Sequence, residues 1–181
     1  MKQFLAGNIL LIFCCLFYLA WWLIAFKPEG AVKGARSGWL LIPAALCGLA
    51  AVIVICRAIA ATAKESRLIP VAAVFIIGAL VYFILLALTW FAMKRQVTTE
   101  LFLIIGWAAL ASAEISALYG YGAYSKTAAI VFITAVIIMA AVSLICYLLY
   151  YKLDSVKGYI DGIIPLAAVA VTTGIMSFTM M

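Results

Sequence analysis

IPVAAVFIIGALVYFILLALTWFAM, residues 69–93, runs without a single charged side chain. The hydrocarbon core of a bilayer is about 30 Å thick and takes roughly 20 apolar residues of helix to cross. The stretch has that length, so it reads as a transmembrane helix. Five other segments meet the same requirement within a few residues: 8–26, 38–59, 100–120, 126–151 and 159–180. The expected fold is therefore an all-α integral membrane protein, a bundle of about six transmembrane helices joined by short loops, in one transmembrane domain over residues 1–181.

Composition agrees. Of 181 residues, 70% are hydrophobic and 10% are charged. Soluble domains run near 45–50% apolar and about 25% charged. A soluble core cannot absorb that much apolar surface, so lipid must solvate the excess. The segment 8–26 is too long for the apolar region of a secretory signal and has no small-x-small cleavage site, so it reads as a retained helix. The segment 38–59 is the least regular, because its clean apolar stretch is only 39–56 and Arg57 falls at or inside its end.

The net charge of +6 comes from 12 Lys+Arg against 6 Asp+Glu. No run of more than two basic residues occurs, so there is no concentrated patch for nucleic acid and none is expected as a partner. The positive-inside tendency gives an orientation. The first, third and fifth loops carry Lys27, Lys33, Arg36, Lys94, Arg95, Lys152 and Lys157; the amino-terminal side carries Lys2, Arg57, Lys64, Arg67 and Lys126. That bias predicts both termini outside, and the membrane expected is the plasma (cytoplasmic) membrane. Trp21, Trp22, Trp39 and Trp90, with Phe26, Phe91, Tyr150 and Tyr151, form an aromatic belt at the interface of those same three loops.

The chemistry-bearing residues are few. Histidine is absent, which removes the commonest general base and the commonest zinc ligand. Cys14, Cys15, Cys47, Cys56 and Cys146 all lie in or at the ends of apolar segments, and no C-x-x-C occurs. An odd count at membrane depth argues against a disulfide framework, so they read as small apolar filler. No paired carboxylates, metal-ligand cluster, Gly-x-Ser-x-Gly or phosphate-cradling glycine loop is present. Neither an enzyme nor a cofactor nor a metal is expected.

Most acidic residues have bland explanations. Glu29, Glu65 and Asp154 lie in loops, and Glu100 complements the dipole at a helix start. Asp161 is expected to cap the last helix at its amino-terminal end. Pro43, Pro70 and Pro165 are expected near helix starts, where proline is tolerated. Thr172, Thr173, Gly174 and Ser177 suggest a small polar lining.

Glu114 is different, since it falls well inside the fourth segment. An ionisable group in hydrocarbon costs on the order of 3 kcal/mol by insertion scales. It is kept where it faces protein, is paired or is neutral. Trp107, Glu114 and Tyr121 are spaced by seven and share one helix face. Ala108, Ser112, Ser116 and Gly120 form a neighbouring stripe at spacing four, suited to close helix packing. Helices two and four run in the same direction, and Arg57 and Glu114 lie within about 6 Å of the same depth, so an Arg57–Glu114 pair is geometrically allowed.

Two functions fit these residues. The first is a small-solute or ion transporter or channel with Glu114 as its ionisable element. The alternative is a non-catalytic, membrane-embedded subunit, a binding or assembly partner within a larger complex, docking through the Ala108–Gly120 stripe. The partners expected are the lipid bilayer and a second membrane protein or a second copy of the chain.

Overall fold

The computed structural model describes residues 1–26, 38–62, 67–94, 99–150 and 152–180. Its elements are α1 (Lys2–Ala25), a 3₁₀ turn (Gly38–Leu40), α2 (Leu41–Ala61), α3 (Val71–Met93), α4 (Thr99–Gly120), α5 (Lys126–Tyr150) and α6 (Ser155–Thr179). Among the described residues there is no strand. Six helices are long and apolar enough to cross a membrane, which makes this an all-α, multi-pass membrane protein.

Two helices start earlier than the apolar text suggests. α1 begins at Lys2 rather than at residue 8, because Phe4 and Gly7 are buried and so belong to the packed helix. α6 begins at Ser155 rather than at residue 159. Its cap is Asp154, whose Oδ1 accepts from the Lys157 amide at 3.2 Å. Two expectations are corrected by that cap. Asp161 lies inside α6, two turns past its start, and does not cap it. Pro165 is an interior residue of the helix and not a first-turn one. Pro43 and Pro70 do sit at helix starts, in the first turn of α2 and at the N-cap of α3.

The chain forms two compact units. The first holds residues 1–58 and 145–181, so it contains α1, the 3₁₀ turn, most of α2, the last turns of α5 and α6. Here α1 packs on α6 and on the 3₁₀ turn. Glycines set the close approaches. A Cβ on Gly7 would meet the Ile55 side chain, and a Cβ on Gly48 would lie 3.1 Å from Cys14 Sγ. These two contacts run in opposite senses along the two helices, so α1 and α2 are antiparallel.

The second unit holds residues 59–144, with α3, α4 and most of α5. α3 packs on α4, where a Cβ on Gly78 would stand 3.3 Å from the Ala109 Cβ. Hydropathy and burial are opposed in this pair. α3 has mean hydropathy 2.9 and only 6% of its span buried; α4 has 1.9 and 61%. The bulky residues Phe83, Ile84, Leu88 and Phe91 of α3 stay exposed, where lipid solvates them. The alanines and serines of α4 are small enough to let other backbones close on it.

The α4–α5 connection is fully specified by local chemistry. Gly122 adopts φ 79°, the Ala123 amide bonds the Leu118 carbonyl at 2.9 Å, and the Gly122 amide bonds the Tyr119 carbonyl at 3.0 Å. This is a Schellman closure. Ser125 then caps α5, accepting from the Ala128 amide at 3.1 Å.

Candidate functional site

α4 is the most enclosed of the six helices; the spans of the other five are 6–28% buried. Residues 109–118 are buried without interruption, and Glu114 lies among them at 2% exposure. An acidic side chain thus sits at the middle of the helix that protein, not lipid, surrounds. Trp107 is two turns earlier and half-buried, and its indole Nε1 is buried without a hydrogen-bond partner among the described residues. Tyr121 lies past the end of α4, in the turn, at 52% exposure. Trp107 and Glu114 therefore share the helix, and Tyr121 stands apart from them.

The small-residue stripe has an occupant within the chain. Ser116 is fully buried. Its Oγ donates to the Ile69 carbonyl at 2.8 Å and accepts from the Ile69 amide at 3.0 Å. Ile69 precedes the first turn of α3, so its backbone groups have no helical partner. Ser112 is buried as well, while Ala108 and Gly120 are half-buried. The face of α4 that carries Ala109, Ser112 and Ser116 is the face against α3 and its entry, not an open groove.

Arg57 lies on an exposed face of α2, near its end. A cation the sequence reading did not single out, Arg67, has a defined place. Its Nη2 donates to the Ile59 carbonyl at 2.7 Å and to Thr62 Oγ1 at 3.4 Å. The guanidinium caps the carboxyl-terminal end of α2, where carbonyls lack partners and the helix dipole favours positive charge. Lys64 and Glu65 lie outside the described residues, as do Lys27, Glu29, Lys33, Arg36, Arg95 and Tyr151.

In the first unit the polar residues gather at two levels of α6. Thr172, Thr173 and Ser177 are buried near its end, and Ser177 Oγ donates to the Thr173 carbonyl at 2.8 Å. Asn8 is buried at 1% exposure. The other level is near the start of α6. The Trp22 indole of α1 lies directly on Gly162, so close that any Cβ there would strike the ring. Trp22 Nε1 donates to the Tyr159 carbonyl at 3.1 Å, and the Tyr159 hydroxyl donates to the Leu23 carbonyl at 3.4 Å. Trp22 stacks on Phe26 at 4.3 Å and meets Tyr150 edge-on at 5.8 Å, with Tyr150 resting on Gly158.

Asp161 stands within this aromatic frame, at 8% exposure. The Cys146 side chain of α5 lies near its carboxylate. Its Oδ2 is buried without a hydrogen-bond partner among the described residues. Sequence reasoning read this residue as a cap, because an Asp before a glycine at the edge of an apolar run looks like one. The signal that would have found it is the cap five residues upstream of the predicted helix start, Asp154.

The fold and these buried acids define an all-α, multi-pass membrane protein. No family model, no curated protein and no solved structure matches the chain. Among the described residues no group of three or more His, Cys, Asp or Glu is arranged to hold a metal ion.

Proposed function

We propose that the protein moves a small solute or an ion across the membrane, with Glu114 as the ionisable group of the pathway. The observation that carries this reading is the placement of Glu114 at 2% exposure in the most enclosed helix. Intramembrane carboxyls mark ion and substrate pathways because their cost is otherwise removed by substitution. Trp107, two turns away with an unpartnered indole N–H, supplies a donor to the same helix. The alternative role as a membrane-embedded partner subunit loses its proposed groove, since α3 and the Ile69 backbone occupy that side of α4. The charge bias of the loops supports both termini outside the cytoplasmic membrane.

The test is flux through purified protein in liposomes. Proton and alkali-cation entry is followed with entrapped indicator dyes, beside empty liposomes. Wild type conducts and Glu114→Gln, verified as folded by its melting curve, does not. Flux that survives the Gln variant, or wild-type vesicles no leakier than empty ones to any of these ions, removes Glu114 from the pathway.

A further inference from the structure

We propose that Asp161, with Trp22 and Tyr150 beside it, is a binding site for a protonated amine. Gly158, Asp161, Gly162 and Pro165 fall on one face of α6 by helical spacing. On that face Tyr150 covers Gly158 and Trp22 covers Gly162, with Asp161 between them and Cys146 of α5 nearby. Cys146 and Tyr150 are one turn apart on α5, and their two contacts on α6 are one turn apart in the opposite sense. The site is therefore a register-matched surface of α1, α5 and α6, all within one compact unit.

Among the described residues no cation pairs with it. Asp161 is 8% exposed and its Oδ2 accepts from nothing among the described residues. A buried carboxylate with an open acceptor position requires a donor, and a charged donor satisfies both the hydrogen bond and the charge. Lys157, one turn earlier, is held by Asp154 at 3.6 Å on the exposed side of the helix. Pro165 has no amide hydrogen to give the Asp161 carbonyl, so that carbonyl lacks its usual helical donor. The rings of Trp22 and Tyr150, packed on Gly162 and Gly158 either side of Asp161, supply aromatic surface that attracts an organic ammonium. Asp161 lies about 9 Å into α6, where an amine with an apolar body partitions readily from the interface. A protonated aryl- or alkylamine fits this combination of acid, rings and membrane depth.

The proposal does not require the transport reading at Glu114, because it is an equilibrium binding claim. The probe is 2-phenylethylamine, titrated into the purified full chain in nanodiscs. Expected is saturable binding at one per chain, a rise in melting temperature with amine concentration, and a loss of about tenfold or more in affinity in Asp161→Asn. Trp22→Leu should also weaken binding, and Glu114→Gln should leave it intact. A second measurement needs no variant. Dicyclohexylcarbodiimide labelling at Asp161, read by peptide mass spectrometry, should be blocked by the amine. Binding that Asp161→Asn leaves unchanged, labelling of Asp161 that the amine does not slow, or protection by sodium or potassium alone in place of the amine would overturn it.

Discussion

Ser116 satisfies both backbone groups of Ile69 at once, donating to its carbonyl at 2.8 Å and accepting from its amide at 3.0 Å. One hydroxyl in α4 thus does for the entry of α3 what a missing helical turn would do. The arrangement matters more in a membrane protein than in a soluble one, since little water is at hand to replace it.

Ser116→Ala therefore leaves two backbone groups without partners. The expected destabilisation is about 1–3 kcal/mol, read as a lower unfolding midpoint in detergent. Ser112→Ala, on the same stripe without this pair of bonds, should cost much less. Equal effects of the two would mean that the stripe acts through packing alone.

The Trp22–Gly162 contact makes an opposite kind of prediction. Gly162→Ala places a methyl in the indole ring, so the ring must leave or α1 must shift away from α6. Overpacking of this sort costs about 1–3 kcal/mol. Trp22→Phe keeps an aromatic body but gives up the 3.1 Å bond to the Tyr159 carbonyl, a loss of about 1 kcal/mol. Combining Gly162→Ala with Trp22→Leu should cost less than the sum of the two singles, because the smaller side chain makes room for the methyl. Strict additivity in unfolding measurements would show that the ring and the glycine are not coupled.

Gly122 is the one position where the α4–α5 hairpin depends on a glycine backbone, at φ 79°. Gly122→Ala puts a Cβ into the left-handed region at a cost of about 1–2 kcal/mol, partly offset by a stiffer unfolded chain. Gly122→Asn should be milder, since Asn visits that region more readily. Thermal unfolding of the three proteins should rank Gly above Asn above Ala; Ala at or above Gly would deny that the Schellman turn holds the hairpin.

The helices were legible because membrane helices announce themselves by length of apolar text, which needs no knowledge of partners. Their ends were less so. Tyr159 and Gly158 made the start of α6 look four residues later than Ser155, and Asp161 then fell where a cap belongs. Glu114 was legible as a buried acid because no interface lay near it in the sequence. Asp161 was not, because the rings that pack on the glycines of its face, Trp22 and Tyr150, lie 139 and 11 positions away in sequence. The occupant of the Ala108–Gly120 stripe was hidden for the same reason: small residues promise a close neighbour but do not say which one.

The two aspartates of α6 test that distinction directly. Asp154 caps the helix through the Lys157 amide and is well exposed, with its lysine partner at 3.6 Å. An exposed pair of this kind contributes little by charge alone, so the cap bond is the main term. Asp154→Ala should cost about 0.5–2 kcal/mol, and Asp154→Asn should recover most of it, because the amide oxygen still accepts. Asp161 sits in the helix interior, where no amide waits for its side chain. If Asp161 worked as a cap, Asp161→Asn would be as neutral as Asp154→Asn and Asp161→Ala as costly as Asp154→Ala. The structure predicts a different pattern: Asp161→Ala unfolds later than Asp154→Ala, since removing a buried carboxylate also removes its burial cost. Unfolding midpoints of the four variants decide between the two roles.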